Sequence, residues 1–114
     1  MNNEEQLQEI EVSIEDATKA VDLMKSLEKL SNNPDFKKVM LDGYFKEECV
    51  RLVLVKAEYE MRSEDIQNQL LKDIDAIGRT RAYLHNIMLR GQTMVRSLAS
   101  DKETKEELLS EQAE

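Results

Sequence analysis

Residues 36–57 read FKKVMLDGYFKEECVRLVLVKA, and the fold turns on whether this stretch is a helix or a β-hairpin. It holds both phenylalanines, Tyr44, the one cysteine (Cys49) and the densest apolar run, Val50–Val55. Asp42-Gly43 is a two-residue turn signal, and the β-branched residues of Val50–Val55 suit a strand, so a hairpin is the competing reading. Lys46, Glu47 and Glu48 favour the helix, because three consecutive charges break the alternation of a strand but sit on the wet face of a helix. The start of the stretch agrees. Asn33 can accept hydrogen bonds from the first free N–H groups, Pro34 brings a helical φ, and Asp35 places a negative charge at the positive end of the dipole. Wound as an α-helix, Phe36, Met40, Gly43, Val50, Leu54 and Ala57 share one stripe, while Leu41, Phe45, Leu52 and Val55 share the next. Apolar surface then covers more than half the circumference, which predicts burial on several sides.

Before this stretch, Leu7, Ile10, Ile14, Ala17, Val21 and Met24 alternate steps of three and four, the heptad rhythm of a helix lying along another helix. The steps then shorten to Leu27 and Leu30, so the seam rotates near the helix end. Glu4, Glu5, Glu9, Glu11, Glu15 and Asp16 precede the first cation, Lys19, and suit either a solvated face or an acidic docking surface. Ser31-Asn32-Asn33 is a short polar break that makes the first two helices antiparallel neighbours.

After the central stretch, Ser63 followed by Glu64, Asp65 and Ile66 reads as a helix cap with an acidic first turn. From there two sevenfold rows run to Leu98: Leu70, Ile77, Leu84, Gly91 and Leu98 in one, Ile74, Arg81, Met88 and Val95 in the other. Gly91 permits a close backbone approach or a bend, and Gly78 with Ala82 suggests another tight crossing. Arg81 stands where an apolar knob belongs, so it either snorkels out or meets an acid. No acidic residue lies between Ala76 and Ser100, where Arg79, Arg81, Arg90 and Arg96 flank the apolar stripe beside His85. Salt bridges with the acidic first helix or with another subunit are the first expectation for these arginines; a surface for nucleic acid or an acidic protein is the second. Residues 99–114 read as an acidic tail, either a short final helix capped by Ser100 or a frayed end.

Composition bounds the function. A chain of 114 residues, 40% hydrophobic and 35% charged, is one domain with a modest core, so association would supply missing burial. The net charge of −8 argues against nucleic acid and anionic membranes as partners. No stretch resembles a transmembrane span, and residues 1–16 are acidic where a secretory leader would be basic and then apolar. Cys49 offers neither a disulfide framework nor a zinc knuckle and reads as a structural thiol. His85 lacks the companions of a metal ligand. Without a phosphate loop, a nucleophile elbow or a spaced acid–base set, the expectation is a protein with no catalytic residues and no cofactor.

The block Asn33–Ala57, NPDFKKVMLDGYFKEECVRLVLVKA, followed by Ser63-Glu64 and by Asp73-Ile74-Asp75-Ala76-Ile77-Gly78, resembles a family of small helical proteins of tailed bacteriophages. The resemblance covers roughly residues 5–110 in layout and implies a phage product made with head and connector components, with no binding residue to transfer. A further similarity, to β-class prefoldin subunits, rests on length and on a helix, hairpin, helix layout. The combined expectation is an all-α, elongated antiparallel bundle, with helices near 3–31, 34–58 and 63–98 forming one domain over residues 1–98. Its expected role is structural or in phage assembly, in the virion or the host-cell cytoplasm, through protein partners that include itself. The alternatives are an acidic regulator of a host protein and a prefoldin-like chaperone. Candidate partner-binding residues are Val50, Leu52, Val53 and Leu54 on the second helix and Arg79, Arg81, Arg90 and Arg96 on the third.

Overall fold

The computed structural model describes residues 2–113; Met1 and Glu114 lie outside them. Among the described residues there is no strand. Helix α1 is Asn3–Ser31. Helix α2 runs without a break through Pro34–Phe36, Lys37–Glu48 and Cys49–Lys56. A 3-10 turn, Tyr59–Met61, leads to α3, Glu64–Ala113. The hairpin reading therefore falls, and the prefoldin likeness falls with it, since that layout needs strands where α2 is helical.

The contacts group the chain into two compact units, one taking residues up to Leu27 with those from Asn86 onward, the other Glu28–His85. The sequence reading has one domain over residues 1–98. That boundary falls inside α3, which continues from Leu98 to Ala113 as a helix in place of a tail.

In the first unit the heptad seam of α1 turns inward as its spacing predicts. Ala17, Val21, Met24 and also Leu27 are buried, and Leu7, Ile10 and Ile14 are half-buried. Leu30 has left the seam and is exposed. Contacts cross from α1 to α3 within this unit. The Ser13 hydroxyl donates to Asp101 at 2.5 Å. Lys105 Nζ lies 3.7 Å from Glu11. Met24 packs where a Cβ on Gly91 would come within 3.0 Å of its Cβ, Cγ and Sδ. Residue numbers fall along α3 as they rise along α1, so these two stretches run antiparallel. Gly91 is buried for the reason its place in the row suggests: a methyl group there would overlap Met24. The second row of α3 is corrected. Val95 is exposed while Met94 is half-buried, so the inward positions step through Gly91, Met94, Leu98, Asp101, Lys105 and Leu108.

The second unit is built around Leu52, Leu70 and Ile77, which are buried together, with Tyr44, Phe45, Cys49, Val55, Met61 and Ile74 packed against them. The start of α2 is as read: Asn33 Oδ1 accepts from the N–H groups of Asp35 and Phe36 at 2.9 and 3.1 Å. Ser63 Oγ accepts from Ile66 N–H at 3.3 Å. The α2–α3 corner is closed by a side chain whose role the sequence does not announce. Gln67 Nε2 donates to the carbonyls of Lys56, at the end of α2, and Met61, at the end of the 3-10 turn, at 2.9 and 2.7 Å, satisfying acceptors that helix ends leave free.

Lys37–Glu48 is a π-helix of 12 residues, where the sequence reading expects ordinary α-helix. The reason lies in the spacing of the large side chains. Phe36, Met40 and Tyr44, with Leu41, Phe45 and Cys49, are all half-buried and recur every four residues. An α-helix turns about 100° per residue, so a four-residue step drifts about 40° and carries such a row off its face. Wider i→i+5 turns hold the row in place. Gly43 sits inside this segment, and a Cβ there would come 2.9 Å from the Lys38 carbonyl oxygen.

The glycines make a direct test by urea unfolding. A Cβ on Gly78 meets nothing within 4 Å, so Gly78→Ala is expected to stabilise by about 1 kcal/mol through helix propensity. Gly91→Ala is expected to destabilise by roughly 1–3 kcal/mol through overlap with Met24. Equal effects at the two sites would contradict this packing. Gln67→Ala is expected to lose about 1–3 kcal/mol in the same assay, because it strands two carbonyls.

Candidate protein-contact surface

Fixing Leu52 in the core decides what the rest of the last segment of α2 does. On a helix, Val50 and Leu54 lie about 200° from Leu52 in either direction, and Ala57 about 140° away, which is the opposite side. Val50 is 58% exposed, Val53 50% and Leu54 64%, while Leu52 is 4% exposed. Ala57 is also exposed. Val50, Val53, Leu54 and Ala57 form an i, i+3, i+4, i+7 set, the pattern with which one amphipathic helix meets another.

This corrects the expected burial of α2 on several sides. The stripe of Leu41, Phe45, Leu52 and Val55 faces inward, whereas Val50, Leu54 and Ala57 of the other stripe face out. It also sorts the candidate residues. Val50, Val53 and Leu54 are surface positions; Leu52 is a core residue and unavailable to a partner. The four-residue recurrence from Phe36 to Cys49 was the signal that could have separated them.

Charges frame the surface. Toward the N-terminus of α2, Lys46 lies 3.9 Å from Asp42. Arg51 donates to both carboxylate oxygens of Glu48, and this hydrogen-bonded pairing holds the Glu48 carboxyl below the usual range and raises the Arg51 guanidinium. Beside them Val39, Met40, Gly43 and Tyr44 line an open groove of about 630 Å³ together with Glu47, Glu48 and Arg51. Past the C-terminal end, Glu58 and Glu60 are exposed, and the Arg62 guanidinium stands 5.1 Å from the Tyr59 ring centroid.

The arginines of α3 are a different case. Arg79, Arg81, Arg90 and Arg96 are all exposed. The ion pairs within 4.0 Å among the described residues are Lys19–Glu15, Lys46–Asp42, Arg51–Glu48 and Lys105–Glu11, so among these residues the four arginines form no bridge to the acidic first helix. Arg81 takes the outward of its two readings. Gly78, Arg81, Ala82 and His85 line a shallow depression of about 360 Å³, and with open space around a Cβ on Gly78 there is no tight crossing at that glycine. Cys49 is half-buried against the Leu52 cluster, the place of a packing thiol. Among the described residues no group of three His, Cys, Asp or Glu side chains stands close enough to hold a metal ion, and no helix is long and apolar enough to cross a membrane.

Comparison with protein families, with curated proteins and with solved structures finds no match.

Core and surface positions on α2 should separate cleanly in unfolding experiments. Leu52→Ala is expected to cost roughly 2–5 kcal/mol as a cavity mutant. Leu54→Lys, two residues away, is expected to change stability by no more than about 0.5 kcal/mol. A large loss from Leu54→Lys would mean that this face is covered within the chain.

Proposed function

We propose that this protein is a non-enzymatic structural or assembly component that acts through helix-mediated contacts with other polypeptides. The observation that carries the reading is the apolar set Val50, Val53, Leu54 and Ala57, concentrated on two turns of helix and left uncovered. Single exposed apolar residues are ordinary, but a contiguous set at helical spacing marks a contact site. In this reading α2 presents the main contact, and the exposed arginines of α3 are a secondary, electrostatic one.

The setting we propose is the one the resemblance of Asn33–Ala57 implies: a tailed-phage particle or its assembly intermediates, in the virion or the host cytoplasm. The second reading, an acidic regulator of a host protein, is favoured by the exposure of Glu4, Glu5, Glu9 and Asp16 on α1.

Affinity purification from infected cells tests both. The assembly reading expects co-purification with portal or capsid components, lost in a Val53→Asp/Leu54→Asp double variant whose helicity by circular dichroism is unchanged. Recovery of one host enzyme, retained by that variant and lost on neutralising Glu4, Glu5, Glu9 and Asp16, would replace it with the regulator reading.

A further inference from the structure

The seam between α1 and α3 in the first unit changes character along its length. Ala17, Ala20, Val21, Met24 and Leu27 are buried on α1 and Gly91 on the facing part of α3, but no described residue of α1 before Ala17 is buried, nor any of α3 after Gly91. The contacts that fix the register are Met24 against Gly91, Ser13 with Asp101, and Glu11 with Lys105. Continued at the same step, this antiparallel register sets Ala17 level with Leu98 and Leu7 level with Leu108. From Leu27 to Ala17 the packing is apolar. It then passes through two levels whose contacts are polar and returns to one apolar level at Leu7 and Leu108, both only half-buried. We propose that the seam opens at the polar levels: residues 3–13 and 101–113 part and close as one pair of arms while residues 17–27 stay packed, and ionic strength sets the balance.

Charge supplies the opening force. Residues 3–13 carry Glu4, Glu5, Glu9 and Glu11 and no lysine or arginine, and residues 101–113 carry five acids against Lys102 and Lys105. The arms are therefore like-charged, and their contacts hold them side by side. Against the repulsion stand the Ser13–Asp101 hydrogen bond and the Lys105–Glu11 pair. That pair is 3.7 Å long with side chains 37% and 58% exposed, so solvent leaves it little strength. A stretch with few buried contacts opens at a lower free energy than the core beside it. Salt screens the repulsion between the arms more than it weakens a single exposed pair, so added salt closes them.

The test is hydrogen exchange of the full chain read by mass spectrometry, with residues 17–27 as an internal reference. In wild type both arms are expected to exchange at least about tenfold faster than the reference stretch. Relative to that stretch they are expected to slow severalfold as salt rises from about 0.01 M to about 1 M, which cuts the screening length from about 30 Å to about 3 Å, below the roughly 8–10 Å between packed helices. Lys105→Glu retains helix propensity and sets like charges together. At low salt it is expected to speed exchange about threefold to tenfold in residues 7–13 of α1 as well as in residues 101–113. Ser13→Ala with Asp101→Leu, which makes one polar level apolar, is expected to slow both arms. Arms that exchange no faster than residues 17–27 overturn the opening. Arms that exchange faster as salt is added overturn its control by charge. A Lys105→Glu effect confined to α3 means that the two ends fray independently, and unchanged exchange in the Ser13→Ala/Asp101→Leu variant means that the polar levels are not where the seam opens; either result overturns the proposal.

Discussion

The packing of Leu52 against Leu70 and Ile77 orients the whole of α2. No other residue of α2 is buried, so its rotation about its own axis is set by this one side chain and the half-buried ring of Tyr44, Phe45, Cys49 and Val55 around it. With Leu52 inward, Val50 and Leu54 have nowhere to go but outward. Gln67 guards the same arrangement from the end. By donating to two carbonyls at the corner, it ties the end of α2 and the 3-10 turn to the first turn of α3. Core and surface on this helix are therefore one decision.

The π segment serves that decision. Leu52 reaches the cluster at the end of α2, and Phe36 is half-buried at its beginning. For one face to serve both, the intervening residues must keep Met40, Tyr44 and Phe45 on it, and their four-residue spacing does not fit an α-helix. Wider turns absorb the mismatch at the expense of backbone geometry, which explains why a residue without a Cβ stands at position 43, where the Lys38 carbonyl crowds the site. Segments of this kind are rare and recur at functional sites, in keeping with a surface that does more than close a core.

Much of this was legible in the sequence wherever a regular α-period held. The α1 seam from Leu7 to Met24, the caps at Asn33 and Ser63, and the close approach at Gly91 all follow from spacing and residue type. Reading failed where polar groups or a different helix took over. Residues past Leu98 look like a tail because apolar residues thin out, yet Asp101 and Lys105 keep the three-and-four step and meet Ser13 and Glu11 in place of apolar contacts. A hydrophobic pattern cannot register a seam held by a hydroxyl and an ion pair. On α2, an α-period placed Val50 and Leu54 in line with Phe36 and Met40. The observed winding breaks that line between Gly43 and Val50, turning an expected buried stripe into the candidate site.

The energetics of that site set how it can be used. Fully burying a Val or Leu side chain is worth about 1.5–3 kcal/mol, and Val50, Val53 and Leu54 have half to two-thirds of their surface left to cover. Covering them yields roughly 1–2 kcal/mol apiece. Summed over this set and an equal apolar area on a partner, that is of the same order as the cost of about 4–15 kcal/mol for immobilising two bodies. Apolar burial alone therefore supports reversible association. A lasting complex needs either further surface, such as the groove of Met40 and Tyr44, or many copies held side by side so that each contact forms at high effective concentration.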